Sequence, residues 1–99
     1  MILPVRYSAG GSIVTAADVG TGTVYVRLFL SGRHGYSSQK ETVTRDFTIE
    51  EAKAFMEYLE GNLSFQIGYW TVELTETSRD GLIADLGHAI FYLQRVNNL

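Results

Sequence analysis

The 99-residue chain has a formal net charge of −3, and 45% of its residues are hydrophobic while 19% are charged. This composition excludes a disordered chain and makes one folded domain spanning residues 1–99 the expected organisation. The acidic balance also disfavours general nucleic-acid binding, which depends on releasing counterions from phosphates, so we expect a protein partner instead.

The chain contains no cysteine, which excludes disulfides, thiolate nucleophiles and cysteine-based zinc sites. It has no apolar run of the roughly 18–20 residues that a membrane span needs. Its first residues lack the order of charged, apolar and small residues found in a signal peptide. We therefore expect a cytoplasmic protein that does not insert into a membrane. With two histidines and no local ligand motif, we predict neither a metal site nor a cofactor.

Glycine residues punctuate the first half of the chain at hairpin spacing, with β-branched and aromatic residues between them. The predicted strands are at about 2–8, 12–18, 23–31 and 41–47. The third strand has an aliphatic face of Val24, Val26, Leu28 and Leu30. Its other face carries Tyr25, Arg27 and Phe29. This pattern is typical of a central strand with both faces at least partly covered.

A capping box predicts the start of a helix. The Thr48 hydroxyl can accept a hydrogen bond from the Glu51 backbone N–H, while the Glu51 carboxylate accepts one from the Thr48 N–H. The residues that follow at helical spacing as a buried stripe are Ile49, Ala52, Phe55, Met56 and Leu59. Gly61 stands where a left-handed C-cap would end the helix.

The last third of the chain is less clear. Residues 65–76 alternate like one half-buried strand, with Trp70 in the core. Residues 80–96 place seven apolar positions on one helical face, and Asp80 can cap the start, but Gly87 would cost about 1 kcal/mol inside a helix. A hairpin turning at residues 85–88 is the alternative. Taking the helix gives an α+β fold in the order ββββαβα, with an antiparallel sheet of about five strands and two helices packed on one face.

The leading functional hypothesis is a non-catalytic protein that binds a protein partner, as a small acidic inhibitor or immunity-type protein. The first helix is acidic, and exposed tyrosines are favoured interface anchors. The predicted partner-binding residues are Glu50, Glu57, Glu60, Tyr58 and Tyr69. An ordinary solvated helix face would explain the same charges. A homodimer is a further expectation, because a domain this small buries a limited share of its surface.

The second hypothesis is a protein that binds a small anionic ligand, such as a nucleotide phosphate, in the glycine-flanked segment 32–38. The candidate ligand-binding residues are Arg33, His34, Tyr36 and Ser37. The segment lacks the spacing of a P-loop, and a polar hairpin loop is the simpler interpretation.

The third hypothesis is an acid–base enzyme. In a C-terminal helix, Asp85, His88, Tyr92 and Arg95 would share one side, where Asp85 can orient His88. The solvated edge of an amphipathic helix has the same pattern, and no substrate is suggested. We therefore predict no enzyme and no catalytic residue.

Overall fold

The computed structural model describes residues 5–8, 13–34, 37–67 and 70–97. Its elements, in chain order, are β1 Val5–Ser8, β2 Ile13–Asp18, β3 Thr23–His34, β4 Ser37–Phe47, α1 Ile49–Glu60, β5 Ser64–Ile67, β6 Trp70–Glu73 and α2 Glu76–Asn97. The predicted α+β class is confirmed, and the element order differs from the expected one by a single extra strand. Residues 2–4 and 12 of the first two predicted strands lie outside the described residues.

Within the described residues, the six strands form two sheets of three, where one antiparallel sheet of about five was expected. The first sheet has the order β1-β6-β5, with β1 parallel and β5 antiparallel to β6. The second is antiparallel throughout and has the order β2-β3-β4, so β3 is the central strand, as predicted.

The segment predicted as one strand over residues 65–76 contains two strands and the start of α2. In the β5–β6 pair, Phe65 lies opposite Val72 and Ile67 opposite Trp70. All four side chains are buried, and Trp70 is in the core as predicted. The buried positions change from odd to even numbers between Ile67 and Trp70. This change of parity indicates a reversal of the chain, since a single strand keeps one parity on each face.

The helix α1 begins as predicted. The Glu51 N–H donates to the Thr48 hydroxyl over 3.1 Å, and the Thr48 N–H donates to the Glu51 carboxylate over 3.0 Å. The predicted left-handed C-cap is wrong, because Gly61 has a φ of −107°. Its N–H still donates to the Tyr58 carbonyl over 3.2 Å, which ends the helix in a tightened last turn.

The helix α2 replaces the alternative hairpin and starts earlier than predicted. The Thr75 hydroxyl accepts a 3.1 Å hydrogen bond from the Ser78 N–H, which makes Thr75 the capping residue in place of Asp80. Gly87 lies where α2 packs on α1: a Cβ at this position would be 3.4 Å from the terminal methyl of Met56. The glycine therefore permits a close approach of the two helices.

One hydrophobic core joins both sheets and both helices. The aliphatic face of β3 is at most 2% exposed. Both helices contact β3 on this side of the sheet. The other face of β3 is more open than predicted, since Tyr25 is half-buried while Arg27 and Phe29 are exposed. No helix in the described part of the chain has the length and apolar character needed to cross a membrane.

Candidate functional site

The outer side of α1 carries three of the predicted partner-binding residues. Glu50, Glu57 and Glu60 are all exposed, and Lys53 is the only basic residue of the helix. No described residue forms an ion pair with any of the three carboxylates. Lys53 lies between Glu50 and Glu57 on this side and offsets part of their charge, but the three carboxylates outnumber it, so this side of α1 keeps a net negative charge.

A groove of about 370 Å³ lies next to this helix. We call it the aromatic groove and define it by Arg45 and Phe47 of β4, Phe55 and Tyr58 of α1, and Phe65 and Gln66 of β5. The strands β4 and β5 are outer strands of different sheets, and each has one edge without a described strand partner. The groove therefore forms where the two sheets do not join.

The floor of the aromatic groove is a contiguous set of three phenyl rings. Phe47 and Phe55 are stacked, with their ring centroids 5.2 Å apart and their planes 7° from parallel. Phe65 meets Phe55 edge-on at 5.1 Å and 81°. Both arrangements are favoured by the quadrupoles of the rings and contribute beyond the burial of area. The groove thus has an ordered apolar floor before anything binds.

The rim of the aromatic groove is polar. Tyr58 is 47% exposed, and its hydroxyl donates a 3.1 Å hydrogen bond to the Ser64 carbonyl. The guanidinium of Arg45 lies 5.3 Å from the centroid of the Phe47 ring, a distance that allows a cation–π contact. An apolar floor with a few fixed polar groups around it is the usual composition of a binding groove.

Glu51 holds a fixed negative charge on the same rim. The pKa of Glu51 lies below its ordinary value of 4.5. The hydrogen bond from the Thr48 backbone lowers this pKa most, and the hydrogen bond with the Thr48 hydroxyl lowers it next. Desolvation raises it by less, and the charge of Arg45 lowers it slightly further. The carboxylate is therefore ionised at neutral pH and tied to the helix N-terminus, so it does not swing freely toward a ligand.

The structure brings together part of the predicted binding set. Tyr58 lies on α1 with the three exposed glutamates and also lines the aromatic groove, whereas Tyr69 lies outside the described residues. The contribution of Phe47, Phe55 and Phe65 to the aromatic groove was not predicted from the sequence. No local pattern could have found it, because the three rings come from three different elements.

The predicted anion-binding loop is largely strand. β3 extends to His34 and β4 begins at Ser37, with Arg33 opposite Ser38 and His34 opposite Ser37. Tyr36 lies outside the described residues. The strand pairing uses part of the backbone N–H groups that the loop would have offered to an anion. Binding of an anionic ligand here stays a prediction.

The predicted acid–base strip lies on α2 beside the edge strand β2. Asp85, His88 and Tyr92 are exposed and border a shallow depression of about 280 Å³ against Thr15. The Thr15 hydroxyl oxygen is buried and has no hydrogen-bond partner among the described residues. Among all the described residues, no group of three His, Asp or Glu side chains could hold a metal ion. The acid–base role of Asp85 and His88 therefore stays a prediction.

A scan against protein-family models and searches of curated proteins and of solved structures found no match to this chain. Inference about its function therefore rests on the chemistry and geometry of its own surfaces. Of these surfaces, the aromatic groove with the adjoining acidic helix combines the most features of a binding site.

Proposed function

We propose that the chain is a non-catalytic protein that binds a protein partner, as a small acidic inhibitor or immunity-type protein. The observation that carries this proposal is the position of the aromatic groove beside the exposed carboxylates of α1. Tyr58 belongs to both surfaces, so one partner can contact them together. Interfaces of this kind place an apolar anchor in a preformed pocket and surround it with polar contacts.

The partner's chemistry follows from these two surfaces. An aromatic or aliphatic side chain of the partner would occupy the groove above Phe55 and pack on its floor of phenyl rings. Lysine or arginine residues beside that anchor would face Glu50 and Glu57. Exposed charge pairs of this type mainly increase the association rate and the discrimination among partners, and salt weakens them. The absence of cysteine fits a reducing compartment, and we include the cytoplasm in the proposal.

Capture of the partner from a lysate of the native cells, followed by measurement of its affinity, tests the proposal. The test variant carries Glu50→Lys, Glu57→Lys and Glu60→Lys. The matched control carries Glu73→Lys, Glu76→Lys and Asp85→Lys, all at exposed positions away from α1. Each variant has the same net charge and one substitution in the first turn of a helix. A scan of unfolding with temperature verifies that both remain folded.

We expect the α1 variant to bind at least about tenfold more weakly and to lose the salt dependence of the association rate, whereas the control binds like the wild type. Tyr58→Ala should weaken binding further by removing the aromatic rim of the groove. Equal effects of the two triple variants would attribute the loss to net charge and contradict the proposed site. Unchanged binding by the α1 variant and by Tyr58→Ala would contradict it as well.

A further inference from the structure

No described element covers the outer face of the β2-β3-β4 sheet. Strand alternation points every second side chain away from the core. The outer sheet face includes Val14, Ala16, Asp18, Thr23, Tyr25, Arg27, Phe29, Lys40, Thr42, Thr44 and Asp46. Phe29 is 44% exposed and Val14 is 41% exposed. Large apolar side chains on a sheet surface are a common feature of interaction sites.

Side chains in the middle of the outer sheet face contact one another. The Arg27 guanidinium lies 5.5 Å from the centroid of the Tyr25 ring. Its Nε donates a 3.3 Å hydrogen bond to the Thr44 hydroxyl on the neighbouring strand. Arg27 is therefore tied to neighbouring side chains of the sheet while it stays exposed, so a second sheet packing on this face would contact it.

The two charges of β4 on the outer sheet face lie symmetrically about one level of the sheet. Lys40 and Asp46 lie three residues to either side of Val43 on β4, and Val43 is level with Leu28 on β3. Arg27 and Phe29 lie one residue to either side of that level. A two-fold axis at this level, parallel to the sheet and perpendicular to its strands, would place Lys40 of one copy over Asp46 of the other. The same axis would place Arg27 over Phe29.

We propose that the outer sheet face is the interface of a homodimer with this two-fold axis. A second copy is the occupant that the surface itself specifies, because each charge at one end of β4 meets its opposite on the partner. The central Arg27 meets an exposed phenyl ring, which is a cation–π pair, and Thr42 meets Thr44. A partner with only basic or only acidic residues on its surface would attract just one of the two charges, Lys40 or Asp46.

The dimensions of the outer sheet face indicate a weak, reversible dimer. Residues 40–46 span about 20 Å at about 3.4 Å per residue, and three strands at about 4.8 Å spacing are about 14 Å wide. This footprint of about 280 Å² on each copy is smaller than that of a stable specific interface, so the dimer is a transient one. The groove uses the inward-facing Arg45 and Phe47 of the same strand, so the dimer leaves both copies free to bind a partner.

Two single charge reversals and their mixture test the proposal. Lys40→Asp places a new carboxylate against the partner's Asp46, and Asp46→Lys places a new ammonium group against the partner's Lys40. Each reversal therefore turns both attractive pairs of the dimer into repulsive ones. Sedimentation equilibrium of the full chain over a wide concentration range measures association. We expect the wild type to dimerise with rising concentration and each variant to associate at least about tenfold more weakly.

An equimolar mixture of the two variants should dimerise again. One copy then carries two aspartates and the other two lysines at the ends of β4, so every charge pair is attractive. Lys53→Asp and Glu73→Lys are matched controls, since they make the same changes of net charge at exposed positions off the outer sheet face. Both controls should associate like the wild type.

The recovery in the mixture also shows that the two variants are folded. A wild type that stays monomeric at every concentration overturns the proposal. A dimer that is insensitive to both single reversals overturns it too, as does a mixture that fails to associate when the wild type dimerises.

Discussion

The indole Nε1 of Trp70 donates a 2.6 Å hydrogen bond to Oε2 of Glu41. Trp70 opens β6 and is 2% exposed, whereas Glu41 lies on β4 at an exposed position. The bond therefore joins the two sheets at a point where their strands do not pair. It also gives the buried indole N–H an ionised acceptor, which is a stronger partner than a neutral one.

This bond predicts a loss of stability in Glu41→Ala. Hydrogen bonds to charged groups contribute about 1.5–3 kcal/mol, so we expect the free energy of unfolding to fall by about this amount. Glu41→Gln keeps an acceptor oxygen and should lose less. Urea unfolding monitored by the fluorescence of Trp70, which is the only tryptophan, measures both values. If both variants unfold at the wild-type midpoint, the bond does not contribute to stability.

The capping box of α1 predicts a specific pH dependence. Because the folded-state pKa of Glu51 is lowered, the stability that its charge provides is present above the ordinary value of 4.5 and is lost as the pH falls through the lower folded-state value. Glu51→Gln keeps a side chain that suits a capping box but does not titrate. The difference in unfolding free energy between the wild type and Glu51→Gln should therefore shrink on acidification below the ordinary pKa of 4.5.

Thr48→Ala removes the hydroxyl that accepts from the Glu51 N–H, and we expect it to cost about 0.5–2 kcal/mol at neutral pH. A constant difference between the wild type and Glu51→Gln across the acidic range would contradict the role of the ionised carboxylate.

The two glycines of α2 should differ in how much an alanine substitution stabilises the protein. A Cβ at Gly81 meets nothing within 4 Å, so Gly81→Ala should raise the free energy of unfolding by about 1 kcal/mol through helix propensity. Gly87→Ala should gain less, because its methyl would press on the Met56 side chain of α1. Gly87→Val should destabilise the protein. Equal gains for the two alanine variants in urea unfolding would show that the helices separate easily at Gly87.

Two large residues of α2, Phe91 and Leu93, should differ in how much their substitution lowers stability. Leu93 is fully buried, and Leu93→Ala should cost about 2–5 kcal/mol because it leaves a cavity between the helix and the sheet. Phe91 is 63% exposed, and Phe91→Ser should change stability by less than about 0.5 kcal/mol. Thermal unfolding of the two variants checks the contrast. A large loss in Phe91→Ser would mean that a second copy or another surface covers this ring.

Local sequence patterns predicted those elements that depend on interactions between residues close together in the chain. The capping box located the start of α1 to the residue, because its two hydrogen bonds join residues only three positions apart. The alternation along β3 correctly identified its buried face. The predicted start of α2 was wrong, because Thr75 and Asp80 are both residue types that can cap a helix, and the Thr75 hydroxyl is the one that accepts a hydrogen bond from the first turn. The hairpin of β5 and β6 was missed although the change of parity after Ile67 indicates it.

The amino-acid pattern of this protein was enough to predict an α+β fold with an acidic first helix and a buried Trp70, and it favoured a helix over a hairpin in the C-terminal segment. These features depend on the period of a helix or strand and on charges that any fold would leave near the surface. The aromatic groove was not predictable in this way, because Phe47, Phe55 and Phe65 meet only when two sheet edges and α1 pack together. The register of β3 and β4 likewise brought Arg27, Phe29, Lys40 and Asp46 onto one face. Long-range packing, which depends on contacts between residues far apart in the chain, decides both surfaces.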